Sequence, residues 1–168
     1  MNTPATPIAI VRATIEDVPL IAPLFDGYRQ FYKQSSNLEG ARHFLTERLE
    51  EKSSVIFLAL RTDEKGEQQP CGFTQLYPSF SSVSMKRLWI LNDLFVAPEA
   101  RRLGVSRALL ERARTFAAET QAQGLKLSTA VDNYTAQALY ESAGWKRDEE
   151  FYVYHLQTSP RRVYKSWQ

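Results

Sequence analysis

The feature that most constrains the fold is a long apolar run that leads through a turn into an amphipathic helix. Residues 87–96 are rich in Trp, Ile, Leu, Phe and Val, broken by Asn92 and Asp93, and they predict the central strand of a sheet. Residues 108–117 repeat apolar side chains at helical spacing, and residues 125–131 return to a strand pattern. A strand, a helix and a strand in this order predict a right-handed crossover between two parallel strands.

Two helices are expected before the main sheet. Thr14 and Asp17 have the spacing of a capping box, so a helix should begin near Asp17, after a short strand over residues 8–12. Pro23 should kink this helix or shift its first turn. The four apolar residues expected on its buried face are Leu20, Leu24, Tyr28 and Phe31. A shorter amphipathic helix is expected over residues 41–49.

Strand patterns separated by turn-forming residues follow these helices. Residues 55–60 and 71–77 predict two strands that are antiparallel to each other. The polar residues 62–69 predict an exposed hairpin loop between them, and the serine-rich residues 78–85 predict a second loop.

The C-terminal half adds one more helix and one more strand. Gly124 should end the helix of the crossover, and Gly144 should end a further helix over residues 133–143. Aromatic residues alternate over residues 145–156 and predict a last long strand. The pattern as a whole predicts a mixed α/β (α+β) fold with one central sheet.

Length and composition bound the class of protein. We expect a single domain over residues 1–168, with loose termini at residues 1–7 and 159–168. The sequence has neither an apolar run of about eighteen residues nor a signal-like leader, so we expect a soluble protein without a membrane partner. Cys71 is the single cysteine and is expected to be a buried, unreactive thiol, which makes a cytoplasmic location the default. The net charge of +2 is smaller than nucleic-acid binders usually carry.

The turn between the central strand and the following helix is a candidate anion site. It contains Arg101, Arg102, Gly104 and Ser106. Phosphate oxygens can accept from the unpaired N–H groups at the start of a helix, and glycine lets them approach the backbone closely. A P-loop is excluded because no Lys-Ser or Lys-Thr follows the glycine, and a dinucleotide fingerprint would need three glycines. A solvated basic turn is the alternative reading of this segment.

A second segment, NYTAQALYESAGW, follows about thirty residues later, after one helix and one strand. The pair of segments resembles the GNAT superfamily of N-acetyltransferases, whose cofactor motif is Arg or Gln, two residues, Gly, one residue, then Gly or Ala. Arg101 and Gly104 match this motif, and Ser106 departs from it at the last position. The resemblance covers residues 71–156, and its second half looks most like the polyamine and histone-type amine acetyltransferases.

This resemblance implies a GNAT-like fold, with a mostly antiparallel sheet, a splayed pair of parallel strands and helices on both faces. It also implies that acetyl-CoA is the co-substrate. Backbone groups of Leu94, Phe95 and Val96 would pair with the pantetheine arm, and an amide there would polarise the thioester carbonyl. Asn133 resembles the family's cofactor-contacting asparagine. The residues expected to cradle the pyrophosphate or the ribose phosphate are Arg101, Arg102, Leu103, Gly104, Val105, Ser106 and Arg107.

Two residues are candidates for proton transfer. Tyr140 resembles the general acid of the family, which protonates the departing coenzyme A thiolate, although it could instead pack with Leu139 and Trp145. Asp93 is the nearest candidate base on the central strand. Many family members have Glu at or beside this position, whereas the preceding residue here, Asn92, cannot act as a base. Asp93 could also bind a loop or the substrate cation, and proton removal through water is an open alternative.

The acceptor side of the cleft is expected at the end of the first helix. Tyr28, Phe31 and Tyr32 could hold a cationic amine between aromatic rings, and Asn92 is a further candidate contact for the substrate. Asp26 or Glu39 could supply a negative charge there. A core stripe with solvated acids is the alternative reading.

We therefore expect direct transfer of an acetyl group from acetyl-CoA to a primary amine of a polyamine, an amino acid, a protein lysine or a protein N-terminus. The rival functions are a non-catalytic acyl-CoA sensor or assembly module, and a nucleic-acid binder that uses residues 101–114 and 161–165. No metal is expected, because His43 and His155 are scattered without a ligand spacing. A homodimer is expected because the last strand, residues 151–156, and the basic tail offer an exposed edge.

Overall fold

The computed structural model describes residues 7–158, so the expected loose termini lie outside the described residues except for Pro7. The chain divides into two compact units, one ending at Leu127 and the other beginning at Ser128. The expectation of a single domain stays a prediction. The elements of the first unit are β1 (Ile8–Arg12), a 3₁₀ turn (Ile15–Asp17), α1 (Val18–Phe31), α2 (Leu38–Glu50), β2 (Val55–Thr62), β3 (Gln68–Ser81), β4 (Lys86–Val96), a 3₁₀ turn (Pro98–Ala100), α3 (Val105–Glu119) and β5 (Leu125–Lys126), and the second unit contains α4 (Tyr134–Ser142).

The sheet has five strands in the order β1-β2-β3-β4-β5. The first four are antiparallel to their neighbours, and β5 pairs with β4 in the parallel direction, as the crossover predicted. The expected strand over residues 125–131 is wrong beyond Lys126. Parallel pairing stops at Ile90 of β4, and the chain after Lys126 leaves the ladder that would hold it extended; Val131 is almost fully exposed. The fold class expected from sequence is confirmed.

The helices α1 and α2 cover one face of the sheet. The buried stripe of α1 has the helical spacing of Ile21, Leu24, Phe25 and Tyr28. Two members of the expected stripe are wrong, because Leu20 is 42% exposed and Phe31 is 53% exposed. They lie at the edge of the true stripe, whose centre is set by packing against Phe73 of the sheet rather than by apolar character alone.

Helix α3 covers the opposite face. Phe116 packs against Phe57 of β2 and Trp89 of β4, with ring centroids 5.5 and 5.1 Å away. The expectation that Gly124 ends this helix is wrong. The helix ends at Glu119, and Gln121 adopts the left-handed conformation, with a φ of 55°, before Gly124 is reached.

Both hairpin loops are shorter than the sequence predicted. Residues Pro78 to Ser81 belong to β3, because they pair with the start of β4, and only residues 82–85 form the turn. Between β2 and β3 the turn is held by Asp63, whose carboxylate accepts from the main-chain N–H groups of Lys65 and Glu67, each at 2.9 Å. Strand pairing shortens one loop and the Asp63 side chain closes the other, and composition alone reveals neither.

The second unit contains α4 as expected. The Asn133 side chain caps the helix by accepting from the main-chain N–H of Ala136 at 3.2 Å, and Gly144 follows its end with a φ of 88°. The expected last strand is wrong, because residues 146–158 form neither helix nor strand. Phe151 and Tyr152 are 75% and 90% exposed, and alternation makes a strand only where a neighbouring strand completes the ladder. No helix among residues 7–158 is long and apolar enough to cross a membrane.

Candidate active site

Strand β4 contains a β-bulge at its centre. Gln75 of β3 lies opposite Asp93, and Leu76 lies opposite Leu91, so Asn92 has no partner in the register. Side chains alternate between faces along a regular strand, and an extra residue reverses that alternation beyond it. Leu91 and Asp93 would share a face in a regular strand, and the bulge places them on opposite faces.

The two halves of β4 therefore serve different layers. Before the bulge, Trp89 packs against Phe116 of α3, with centroids 5.1 Å apart. After the bulge, Phe95 packs against Tyr28 of α1, with centroids 6.4 Å apart. Asp93 lies two residues from Phe95 and so faces the α1 layer.

The carboxylate of Asp93 is enclosed by neutral hydrogen-bond donors. It is 2% exposed, and its oxygens accept from Gln75 Nε2 at 2.5 Å and from Asn92 Nδ2 at 2.9 Å. The Tyr28 hydroxyl also hydrogen-bonds to it, and the Thr74 hydroxyl donates to its main-chain oxygen at 2.8 Å. None of the ion pairs among residues 7–158 includes Asp93.

This environment shifts the protonation equilibria of the site. Burial raises the pKa of Asp93, and the hydrogen bonds from Gln75, Asn92 and Tyr28 offset part of the rise. Burial also raises the pKa of Tyr28 and Tyr77, and the charge of Asp93 raises both further. The tyrosines therefore keep their protons, and the carboxyl group moves toward the range in which it can exchange one.

A series of aromatic rings leads from the surface toward Asp93. Phe31 is exposed and lies with its ring centroid 5.2 Å from that of Tyr32, whose centroid is 5.0 Å from that of Tyr28. Tyr28 is buried, and its hydroxyl donates to the main-chain oxygen of Asn92 at 3.4 Å. Tyr28 and Asn92, both expected to bind the acceptor, therefore contact the candidate base, and Tyr32 packs against Tyr28.

Asp26 is engaged within the fold rather than available to a substrate. Its carboxylate accepts from Ser36 Oγ at 2.6 Å and from the Asn37 main-chain N–H at 2.7 Å, and it forms an ion pair with Arg29 at 3.4 Å. Burial alone would raise the pKa of this carboxyl, but these interactions outweigh burial and lower it. Asp26 thus joins α1 to α2, whereas Glu39 is exposed in the first turn of α2.

The expected anion site lies in the first unit, where β4 leads into α3. Arg101 and Arg102 are exposed, and Arg101 Nε donates to the Val96 main-chain oxygen at 3.4 Å. Gly104 immediately precedes the helix with a φ of 83°, a conformation that favours glycine. Val105 begins the helix with its side chain in the core.

The donors present here fit phosphate groups. The first N–H groups of α3 have no partner within the helix, and the helix dipole adds partial positive charge. Two exposed guanidinium groups lie beside them, and guanidinium pairs well with phosphate oxygens. Ser106, where the motif has Gly or Ala, lies half-buried in the first turn.

The second half of β4 leaves its β5 side without a strand partner. Parallel pairing ends at Ile90, so the residues from Leu94 to Val96 form no ladder on that side with any strand of the described chain. Their backbone groups fit an extended ligand that adds along the edge.

Two glycines that sequence reasoning missed enclose Phe95. A Cβ at Gly72 would lie 2.8 Å from the main-chain oxygen of Phe95, and a Cβ at Gly27 would lie 3.1 Å from its ring. Glycine inside a strand indicates a close backbone approach, so Gly72 could have been identified from the sequence. Gln75 could have been identified too, because it is a polar residue within an apolar strand.

In the second unit, Asn133 and Tyr140 are placed by α4. Asn133 caps the helix, so its side-chain oxygen already accepts one hydrogen bond. Tyr140 is half-buried, and its ring centroid lies 6.1 Å from that of Trp145, which is the contact that the packing alternative required.

Cys71 is buried, and burial raises its pKa, which fits an unreactive thiol. Within residues 7–158 there is no group of three or more His, Cys, Asp or Glu that could hold a metal ion.

Comparisons with known proteins agree with this arrangement. Residues 21–145 match the model of the Acetyltransferase (GNAT) family. An uncharacterized N-acetyltransferase, YhfO of Bacillus subtilis (strain 168), is 50% identical over 147 residues, which cover 88% of this chain and 95% of that protein. A probable acetyltransferase of Haemophilus influenzae is 33% identical over 85% of this chain and 93% of its own length.

Solved structures show the same fold. The crystal structure of a probable acetyltransferase superposes with a TM-score of 0.84 at 52% identity, covering 91% of this chain and 99% of that chain. An aminoglycoside N-acetyltransferase in complex with CoA has a TM-score of 0.73 at 15% identity, covering 94% of this chain and 100% of its own, and so shows the fold alone. The family resemblance of the sequence is confirmed, and the protein belongs to the GNAT family, whose members use acetyl-CoA, and is an acetyltransferase.

Proposed function

We propose that this enzyme transfers the acetyl group of acetyl-CoA directly to a primary amine. The observation that carries the proposal is the bulge at Asn92, which brings a buried carboxyl, Asp93, beside the aromatic residues of α1. A carboxyl whose pKa is raised can take the proton that an ammonium group must lose before it attacks. The single cysteine, Cys71, is buried, so the proposal has the amine attack directly rather than through a covalent intermediate on a thiol.

The proposed cofactor site combines the free edge of β4 with the start of α3. Backbone groups of Leu94, Phe95 and Val96 bind the extended pantetheine arm of acetyl-CoA. The main-chain N–H groups and guanidinium groups of the turn bind the phosphates. In the second unit, Asn133 is the residue proposed to contact the cofactor. The turn residues are Arg101, Arg102, Leu103, Gly104, Val105, Ser106 and Arg107. The cofactor supplies an acetyl thioester, which an amine can attack.

Two of the chain's own groups move protons in this proposal. Asp93 takes one proton from the substrate ammonium, directly or through one water, and later returns it to solvent. Tyr140 donates its proton to the departing thiolate and is reprotonated from the acetylated nitrogen through solvent, so one proton is released per turnover. A non-catalytic acyl-CoA sensor would need neither group.

The acceptor in this proposal is a cationic amine of a polyamine, an amino acid, a protein lysine or a protein N-terminus. Tyr28 and Tyr32 present rings to it, and Asn92 offers a neutral polar contact. Two structural neighbours are named for amine-bearing acceptors, a ribosomal-protein-alanine N-acetyltransferase of Brucella melitensis and an aminoglycoside acetyltransferase. They share 20% and 18% identity with this chain, so they support the breadth of the class rather than one acceptor.

The proposal also includes a homodimer in the cytoplasm, with neither a nucleic-acid nor a membrane partner. The exposed residues 151–156, which are hydrophobic except for His155, are the surface that a second copy would cover.

The test is a thiol-release assay with acetyl-CoA and a panel of polyamines, lysine analogues and amino acids. We expect at least one amine to release thiol above the hydrolysis background, and the product to carry one acetyl group by mass. Asp93→Asn is the matched variant, expected to lower the rate with the best amine while coenzyme A binding persists. Coenzyme A binding without turnover on any amine would favour the sensor instead.

A further inference from the structure

Gln75 is a fully buried amide of which only one half is used. It is 0% exposed, and its Nε2 donates to Asp93 Oδ2 at 2.5 Å across the β3–β4 pair. Its Oε1 is also buried and has no hydrogen-bond partner among residues 7–158. An unpaired buried oxygen destabilises a fold, so a structural amide would be expected to have both ends satisfied.

The unused oxygen has a role if Asp93 exists in two charge states. An ionised carboxylate only accepts hydrogen bonds, so it needs the amide nitrogen as donor. A protonated carboxyl group carries an O–H and needs an acceptor. Rotation of the amide plane by half a turn exchanges Nε2 for Oε1 at the same position, so one side chain can serve both states.

We propose that Gln75 is the positioning residue of Asp93: its Nε2 holds the ionised carboxylate, and its Oε1, after a half-turn of the amide, accepts the proton of the carboxylic acid. The inference rests on the proposed function, in which Asp93 takes the proton of the substrate ammonium. The proton transfer is balanced, since one N–H bond of the ammonium breaks and one O–H bond of Asp93 forms.

Gln75 is better suited to this role than the other donors around Asp93. Asn92 also donates to the carboxylate, but it is half-buried and adjacent in the chain, so solvent can replace either end of its amide. Gln75 comes from the neighbouring strand and is closed off from water. The titratable groups that bear on this pocket are Tyr28 of α1, Tyr32 just after α1, Tyr77 of β3, and Arg48 of α2, which acts on Tyr77.

The test uses the full-length protein and needs no substrate. In ¹³C- and ¹⁵N-labelled protein, the Asp93 carboxyl resonance, assigned by its loss in Asp93→Asn, is titrated together with the side-chain NH₂ of Gln75. We expect the NH₂ proton that faces Asp93 to lose its downfield shift at the same midpoint as Asp93. In Gln75→Met the Asp93 midpoint is expected to rise by about one pH unit, because a hydrogen bond to a charged group is stronger than one to a neutral group.

Thr74→Val is the matched control. Thr74 is as buried as Gln75, but its hydroxyl donates to the main-chain oxygen of Asp93 and not to the carboxylate. It should lose stability and leave the midpoint unchanged. A midpoint that moves no further in Gln75→Met than in Thr74→Val, or a Gln75 NH₂ signal indifferent to the titration of Asp93, would overturn the inference. The NH₂ measurement on the natural protein decides the matter even where Gln75→Met does not fold.

Failure of the proposed function looks different. If Asp93→Asn transfers acetyl groups to the best amine at the full rate, Asp93 is not the base, and Gln75 has no role in catalysis. If Asp93→Asn is inactive and the Asp93 midpoint does not move in Gln75→Met, only the positioning role of Gln75 is refuted.

Discussion

Gly72→Ala tests whether the close approach of β3 to β4 shapes the site. An added Cβ would lie 2.8 Å from the Phe95 main-chain oxygen, 3.1 Å from Val105 Cγ1 and 3.3 Å from Val96 Cγ2. A backbone oxygen cannot rotate away as a side chain can, so the strands must separate by roughly half an ångström, and overpacking of this kind costs about 1–3 kcal/mol. For a chain of this length, 2 kcal/mol corresponds to a fall in Tm of roughly 4–8 °C.

Urea unfolding followed by tryptophan fluorescence measures this loss, and coenzyme A affinity reports on the Phe95 backbone. Gly124→Ala is the matched control, because its Cβ would meet nothing within 4 Å and its φ is not positive. It should change the free energy of unfolding by less than about 0.5 kcal/mol. Equal stabilities for the two variants would refute the close approach on which the argument depends.

Further variants test the other parts of the site. Gly104→Ala should lose about 1 kcal/mol through its positive φ and should weaken coenzyme A binding in a titration; unchanged affinity would contradict the placement of the phosphates there. The pKa of Asp26 is lowered in the folded protein, so its carboxylate stabilises the fold at neutral pH, and this stabilisation is lost as the pH falls below the ordinary pKa of 3.8. In Asp26→Asn the free energy of unfolding should therefore fall less steeply below pH 3.8. An unchanged pH dependence would argue against this role. The folded pKa of Asp93 is raised, so stability should fall as the pH rises from 3.8 through that pKa, and a calorimetric pH series on Asp93→Asn should lack this decline. Tyr140→Phe should lower kcat by about 10²-fold or more with coenzyme A binding intact, and a rate that is unchanged across pH would assign Tyr140 to packing with Trp145.

Local signals in the sequence predicted a large part of the fold. The Thr14–Asp17 pair does form a capping box, at the 3₁₀ turn that leads into α1, with the Thr14 main-chain N–H donating to the Asp17 carboxylate at 2.8 Å. Asn133 and Gly144 do bound α4. These features act within a few residues of chain, so spacing alone reveals them.

Features set by pairing between strands could not be predicted in the same way. The bulge at Asn92 depends on the register of β4 with β3, and periodicity within β4 carries no record of that register. The contact between Gln75 and Asp93 follows from the same register. The strand predicted over residues 151–156 is wrong for a related reason. The alternation of their side chains is real, but no strand of the described chain pairs with them.

The bulge decides how a single strand can both build the core and carry the candidate base. If the register continued unbroken, Asp93 would share the face of Leu91 and Trp89, on the α3 side of the sheet, and would lose its contacts with the α1 side. With the bulge, the carboxylate meets the amide of Gln75 and the hydroxyl of Tyr28 instead. The unpaired residue, Asn92, therefore interrupts the regular register of the sheet, and this interruption lets a buried carboxyl form its hydrogen bonds.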